Sequence, residues 1–204
     1  MKRVYLDWNA SAPLSDAASE AMIRSLKHYG NPSSVHLEGR KARNALERAR
    51  DQIAELIGLP NRSLIVFTSG ATEGASMVLK SRPFKCAPIE HDCVRVWADE
   101  DLAVSEDGLV EVIEPENSSL QLANSESGII QDVPDNIFFT DAVQAFGKIP
   151  INFSNFFYDF TILSSHKIGG PKGIGALIVS DFAAIEPMIR GGGQESGLRS
   201  GTEC

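Results

Sequence analysis

Several stretches of this chain are apolar at nearly every position instead of every second one: Leu64-Ile65-Val66-Phe67, Ile137-Phe138-Phe139, Phe160-Thr161-Ile162-Leu163 and residues 176–180. A strand with one wet face alternates. A strand that is apolar throughout needs cover on both faces. Four such runs within 204 residues predict a sheet packed between helical layers, an α/β fold. The chain is 43% hydrophobic and 23% charged, which is enough apolar material for one substantial core.

The helical signals fit that layout. Ser15 or Asp16 can cap a helix running to about Tyr29, with Ala18, Met22 and Leu26 on one face. Gly30-Asn31-Pro32-Ser33-Ser34 stops it. A longer helix follows, with Ala42, Ala45, Leu46, Ala49, Ile53, Leu56 and Ile57 at helical spacing and Gly58 at its end. A third opens after Thr68-Ser69-Gly70 and runs to about Lys80. Further short strands are expected at Val4-Tyr5-Leu6, around Cys86, and at 94–98, 109–113 and 119–123. The middle third carries fewer helical signals than an α/β fold normally has. No repeat, low-complexity tract or Pro-rich linker divides the chain, so residues 1–204 read as one domain.

Charge and composition exclude several classes. The net charge of −8, with no basic cluster, speaks against nucleic acid. No apolar run approaches the roughly 20 residues of a membrane span, and the N-terminus has no signal-peptide core. Three cysteines, Cys86, Cys93 and Cys204, fit a reducing, cytoplasmic setting better than a disulfide scaffold.

The polar residues just beyond the apolar runs carry the chemistry. Ser164-Ser165-His166-Lys167 follows one of them. An ammonium at the end of a buried strand is costly unless it is paired or loses its proton, and a Schiff base with an aldehyde cofactor uses a lysine placed this way. Thr140-Asp141-Ala142-Val143-Gln144 follows another run. An aspartate facing a pyridinium nitrogen, together with a Schiff-base lysine, points to pyridoxal phosphate. At ~3 Å and an effective dielectric of ~20 that ion pair is worth roughly 5 kcal/mol before desolvation.

Each of these residues also has an ordinary reading. Lys167 can be a surface loop lysine, and Asp141 a helix N-cap. Ser69-Gly70-Ala71-Thr72, between a strand and a helix, can cradle an anion on the helix N-terminus or be a plain capped turn. It is not a Walker loop. His91 can stack on a cofactor ring or have no role. Of Glu90-His91-Asp92-Cys93, His91 and Cys93 are the strong metal ligands, and no CxxC or HxxxH completes a site, so no metal is expected.

Taken in order, the motifs resemble the cysteine desulfurases of the class V aminotransferase fold. They are Tyr5-Leu6-Asp7, Gly30-Asn31-Pro32-Ser33-Ser34-Val35-His36, Phe67-Thr68-Ser69-Gly70-Ala71-Thr72-Glu73, Glu90-His91, Asp141-Ala142-Val143-Gln144, Ser165-His166-Lys167-Ile168, the run from Gly170 to Leu177, and Arg199-Ser200-Gly201-Thr202. The resemblance implies a fold-type-I large domain with a mixed, mostly parallel sheet between helices, and pyridoxal 5'-phosphate as cofactor. It implies that Lys167 anchors the cofactor and moves protons on the substrate, and that Asp141 pairs with the pyridine nitrogen. His91 stacks on the ring and acts in proton transfer, and Gln144 contacts the ring hydroxyl. Ala71, Thr72, Ser164 and His166 hold the phosphate, and Thr202 reaches the phosphate of a partner subunit in a homodimer. The substrate would be L-cysteine, converted to alanine and a persulfide that supplies iron–sulfur clusters through a scaffold or acceptor protein.

The chain departs from the family pattern in three ways. Where the family has Asn-Asn-Glu, this chain reads Asn124-Ser125-Glu126, which puts Ser125 at the cofactor. The segments from His91 to Asn124 and from Gln131 to Asp141 are short, so covering helices are expected to be missing. The family also continues to about twice this length, with a small C-terminal domain, a nucleophilic cysteine and a carboxylate-binding arginine. Cys204 lies in the wrong place to be that cysteine, so desulfurase turnover by this chain alone is not expected. The alternatives are a non-catalytic module that binds pyridoxal phosphate or dimerises, or another class V reaction.

Overall fold

The computed structural model describes residues 3–59, 64–80, 82–153, 158–180 and 185–204. Met1 and Lys2, at the start of the N-terminal run, lie outside them. Five strands form one sheet in the order β1-β5-β4-β3-β2, where β1 is Leu64–Thr68, β2 Ser119–Gln121, β3 Phe139–Asp141, β4 Phe160–Ser164 and β5 Gly175–Val179. β2, β3 and β4 run parallel, and β5 is antiparallel to both β4 and β1. Four of the five strands therefore point the same way, which is the mixed, mostly parallel sheet expected.

Both faces of the sheet are covered, and successive residues of β1, β4 and β5 go to opposite cores. Val66, Ile162, Leu177 and Val179 pack with Ala75, Met77, Val78 and Leu79 of helix α3, Ala71–Leu79. Ile65, Leu163, Ala176 and Ile178 pack on the other face with Ile53, Ala54 and Ile57, from the end of helix α2, Leu37–Leu56, and with Ala142 and Phe153. At about 25 cal/mol per Å2 such two-sided burial is the main stabilising term. It also explains why these strands are apolar at nearly every position.

The first helix, α1, spans Asp16–Ser25, with Ser15 as the expected cap, its side chain accepting from Ala18 N at 3.2 Å. The helix ends four residues short of Tyr29 and buries nothing: Leu26 is 83% exposed. In α2 the stripe holds through Ile53 and Ile57, but Leu56 is 72% exposed. Gly58 ends it with a φ of 62°.

Several expected strands are not strands. Val4-Tyr5-Leu6 has no ladder among the described residues, and its side chains are exposed. Of the 94–98 run, Val94 and Arg95 end a short helix, α4, Asp92–Arg95, and residues 96–98 form the turn after it. Its apolar residues serve one face: Cys93 and Val94 are buried against α3's core, while Val96 faces solvent. Residues 109–113 contribute a single bridge, Val104 to Val110. Near Cys86 the neighbouring Lys85 makes isolated bridges to Ser118 and Asp99, a stub at the β2 edge.

Candidate active site

Register aligns the strand ends on one edge. Gly175, the first residue of β5, pairs with both Thr68 and Ser164, the last residues of β1 and β4. Gln121 and Asp141 end β2 and β3 and pair with each other. The loops leaving β1, β2, β3 and β4 therefore emerge side by side at the carboxyl ends of the strands, where open α/β sheets bind ligands. A cavity of about 500 Å3 opens there, within the range of small-molecule and cofactor sites.

Nine of the ten residues singled out from the sequence line this cavity: Ala71, Thr72, His91, Ser125, Asp141, Gln144, Ser164, His166 and Lys167. Thr202 does not. It lines a neighbouring cavity of about 540 Å3 between α2 and the C-terminal loop.

Lys167 sits in a 3-10 turn, Ser165–Lys167, directly after β4. Its Nζ donates to the carbonyls of Asn9 at 2.7 Å and Ala10 at 3.0 Å. The N-terminal segment reaches it by docking on the same turn, with Ala12 N donating to His166 O at 2.9 Å and Ser15 N to Gly169 O at 2.8 Å. Burial lowers the Lys167 pKa, while Asp141 and Asp7 pull the other way. His166 is also lowered, by burial and then by Lys167 and Lys172.

Asp141 is 2% exposed. Its Oδ1 accepts from Val143 N at 2.8 Å and its Oδ2 from Gln121 Nε2 at 3.3 Å. No helix starts after Asp141, so the N-cap reading fails: Oδ1 ties the turn that follows β3, and Oδ2 holds the Gln121 amide. Burial raises its pKa; the Val143 bond, then His91, Lys167 and the Gln121 bond, oppose that rise.

His91 caps α4, its Nδ1 facing Cys93 N at 3.1 Å. That bond assigns Nδ1 as acceptor and leaves the proton on Nε2. Gln144 Nε2 donates to Asn9 O at 2.9 Å, and Lys148 Nζ donates to Gln144 Oε1. Ser125 takes Asn9 Nδ2 on its carbonyl at 3.0 Å and donates its N–H to Gln121 Oε1 at 3.0 Å.

The turn before α3 is held by its neighbours. Glu73 Oε2 accepts from Ser69 N at 2.6 Å, and Glu73 Oε1 accepts from Arg199 Nε at 3.0 Å. A Cβ on Gly70 would meet no protein atom within 4 Å, so the start of α3 is open to a ligand. The close backbone approach is at Gly175, whose Cβ would lie 2.7 Å from the Gly70 backbone.

Sequence reasoning gave no role to Gln121, Asn9 or Ala10, and none to Glu90 beyond its motif. Gln121 stands at a strand's carboxyl end, a signal that could have found it. The Asn9 and Ala10 contacts use backbone carbonyls and leave no mark in residue types. Cys93 lines the cavity, but burial, Asp141 and Glu90 push its thiol up to about 12; burial and Glu90 do the same to Cys86. Neither is a ready nucleophile.

Known proteins resemble the chain along its length. The profile of the Aminotransferase class-V family matches residues 4–100 and 98–202. The cysteine desulfurase IscS of Dictyoglomus turgidum is 37% identical over 240 positions, covering all of this chain and 61% of that protein. The mitochondrial cysteine desulfurase of Arabidopsis thaliana is 40% identical, covering 98% of this chain and 52% of that protein. The chain therefore spans about three-fifths or less of these relatives' length. The 240 aligned positions exceed its 204 residues, so the bacterial relative carries segments within the matched span that this chain lacks. Among solved structures, the NifS-like protein of Rickettsia africae superposes with a TM-score of 0.88 at 34% identity, covering 99% of this chain and 65% of that one. SspA, solved in complex with cysteine, gives a TM-score of 0.88 at 33% identity over 98% of this chain and 69% of its own. The fold is that of the NifS-like proteins.

Proposed function

The chain belongs to the class-V aminotransferase family, and from that premise we propose that it binds pyridoxal 5'-phosphate at the strand-end cavity as the large domain of a cysteine desulfurase. One observation carries the reading. Lys167, whose Nζ donates to two backbone carbonyls, and Asp141, a buried carboxylate at the next strand end, line the same cavity.

The residues fit the cofactor. The open start of α3 at Gly70 and Ala71, with Thr72, Ser164 and His166 around it, offers backbone N–H groups and side-chain donors to a phosphate. Lys167 would anchor the aldehyde end. Asp141 would face the ring nitrogen and keep it protonated. Gln144 and Ser125 would contact the polar edge of the ring.

When bound, the cofactor supplies a pyridinium electron sink for carbon–sulfur cleavage. The chain supplies the rest. The lowered pKa of Lys167 places its amine nearer the working pH as a proton carrier at the substrate α-carbon. His91, fixed through Nδ1, would stack on the ring with Nε2 available for proton exchange. The substrate is L-cysteine and the products alanine and a persulfide sulfur, passed to an iron–sulfur scaffold or acceptor protein in the cytoplasm. Thr202, outside its own chain's cofactor cavity, would serve the partner's phosphate in a homodimer. With Cys86 and Cys93 held as thiols, the chain by itself would not turn cysteine over.

The test is the visible absorption spectrum of the purified chain with added pyridoxal phosphate, beside Lys167→Ala. A new band lost in the variant is expected. No band, or one indifferent to Lys167, would overturn the reading.

A further inference from the structure

One buried acid near the cavity has no part in the chemistry above. Glu90 is 4% exposed. Its Oε1 accepts the backbone N–H of Gln121. Its Oε2 is buried with no hydrogen-bond partner among the described residues. The same Gln121 donates its side-chain amide to Asp141 Oδ2 at 3.3 Å. Its Oε1 accepts from Asn124 Nδ2 at 3.2 Å and Ser125 N at 3.0 Å. Glu90, Gln121 and Asp141 thus form a line from the start of α4, across the end of β2, to the end of β3.

Two buried carboxyls this close cannot both hold full charge cheaply, and their surroundings decide which keeps the proton. Besides the Gln121 N–H, the group acting on Glu90 is the acid Asp141 on β3, and Glu90 in turn raises the thiols of Cys86, beside the β2 edge, and Cys93 on α4; no cation acts on it among the described residues. The groups acting on Asp141 include His91 and Lys167, and both of its oxygens accept hydrogen bonds. A bare carboxylate oxygen at Glu90 Oε2 would be a buried charge without a partner, far costlier than an unpaired hydroxyl.

We propose that Glu90 is a positioning residue for Asp141: its protonated, buried carboxyl holds the Gln121 backbone, keeps the Gln121 amide on Asp141, and leaves Asp141 as the anion of the pair. The inference deepens the cofactor reading and rests on it for what that anion faces. Burial, and then Asp141, raise the Glu90 pKa to about 8, in line with the geometry.

The experiment needs no cofactor, so its outcome is independent of the pyridoxal phosphate spectrum. Carboxyl carbon NMR of the 13C-labelled chain, followed from pH 4 to 9, should show one glutamate titrating near pH 8 that is absent in Glu90→Gln. Asp141, assigned by Asp141→Asn, should ionise at lower pH than Glu90. Glutamates that are all ionised by pH 6, or an Asp141 that outlasts Glu90 in holding its proton, would overturn the proposal.

Stability gives a second readout. The unfolded chain releases the Glu90 proton near pH 4.5 and the folded chain near pH 8, so wild-type stability falls between those values. The ratio of the folding constants of Glu90→Gln and wild type should rise about tenfold per pH unit across that window. A pH-independent ratio, the mark of a merely structural carboxyl, would overturn the proposal. If Glu90→Gln does not fold, the wild-type glutamate titration decides alone.

Discussion

Arg50 and Glu195 meet as a fork: two guanidinium nitrogens lie 3.0 Å from the two carboxylate oxygens, across 145 residues of sequence. Glu195 also accepts from Phe67 N at 2.8 Å, and Arg50 lies over the Phe67 ring at 4.9 Å while donating to Ile65 O. The pair pins the Gly-rich C-terminal loop to β1 and α2. Glu195 and Ser196 adopt φ of 46° and 58°, a region that non-glycine residues enter at a cost. Removing Glu195 leaves a largely buried Arg50 with Glu47 and the Ile65 carbonyl alone, and leaves Phe67 N without its acceptor. Glu195→Ala should therefore destabilise the chain by about 2–3 kcal/mol, and Glu195→Leu with Arg50→Met should recover part of that loss. Urea denaturation of the single and double variants measures both.

The turn that opens α3 has its own pH signature. Burial raises the Glu73 pKa, but bonds from Ser69 and Arg199 outweigh it and hold the carboxyl below its usual value. A depressed folded-state pKa gives stability that is full above the unfolded value and lost as pH falls through the folded one. Acid melting curves should show wild type losing stability below about pH 4.5. That component should be missing in Glu73→Gln, and Arg199→Met should weaken it.

Gly175 has no room for a side chain. A Cβ there would lie 2.7 Å from the Gly70 backbone and 2.8 Å from Leu163 O. Backbone cannot move aside as a side-chain tip can, so Gly175→Ala should cost about 1–3 kcal/mol. It should also disturb the start of α3, so pyridoxal phosphate should bind more weakly. Thermal melting and a cofactor titration read the two effects separately.

The cysteines should divide by reactivity. Cys204 is exposed, whereas Cys86 and Cys93 are buried with thiols pushed up to about 12. Iodoacetamide at pH 7.5 should label the native chain once, at Cys204, and the urea-unfolded chain at all 3 cysteines. Mass spectrometry counts the labels. Rapid native labelling of Cys93 would reopen it as a nucleophile.

The local signals that were legible came from residues whose neighbours in sequence and in space agree. Strands such as 64–68, 160–164 and 175–179 are buried on both faces, so their apolar runs needed no knowledge of a partner. The α2 stripe was legible for the same reason, through Ile53 and Ile57. Residues 94–98 were misread because a short apolar run fits either a strand or a one-sided helix, and the choice rests on Cys93 and Val94 packing toward α3. Val4-Tyr5-Leu6 has strand-forming residues, but a strand needs a partner, and the N-terminal segment docks on the Lys167 turn through residues 9–15 instead.

The sequence by itself determined which chemistry was available: a lysine, an aspartate and a glycine-opened helix start, each just past an apolar run. Their assembly was decided by strand register, which seats Gly175 between Thr68 and Ser164 and places Gln121 beside Asp141. Register is a property of packing between distant segments, and one residue of slip would turn each side chain to the opposite face. The tie of Glu90 to Asp141 through Gln121 is likewise a tertiary fact, because burial, and the lack of a cation acting on Glu90 among the described residues, decide which of two carboxyls keeps its proton, not residue type.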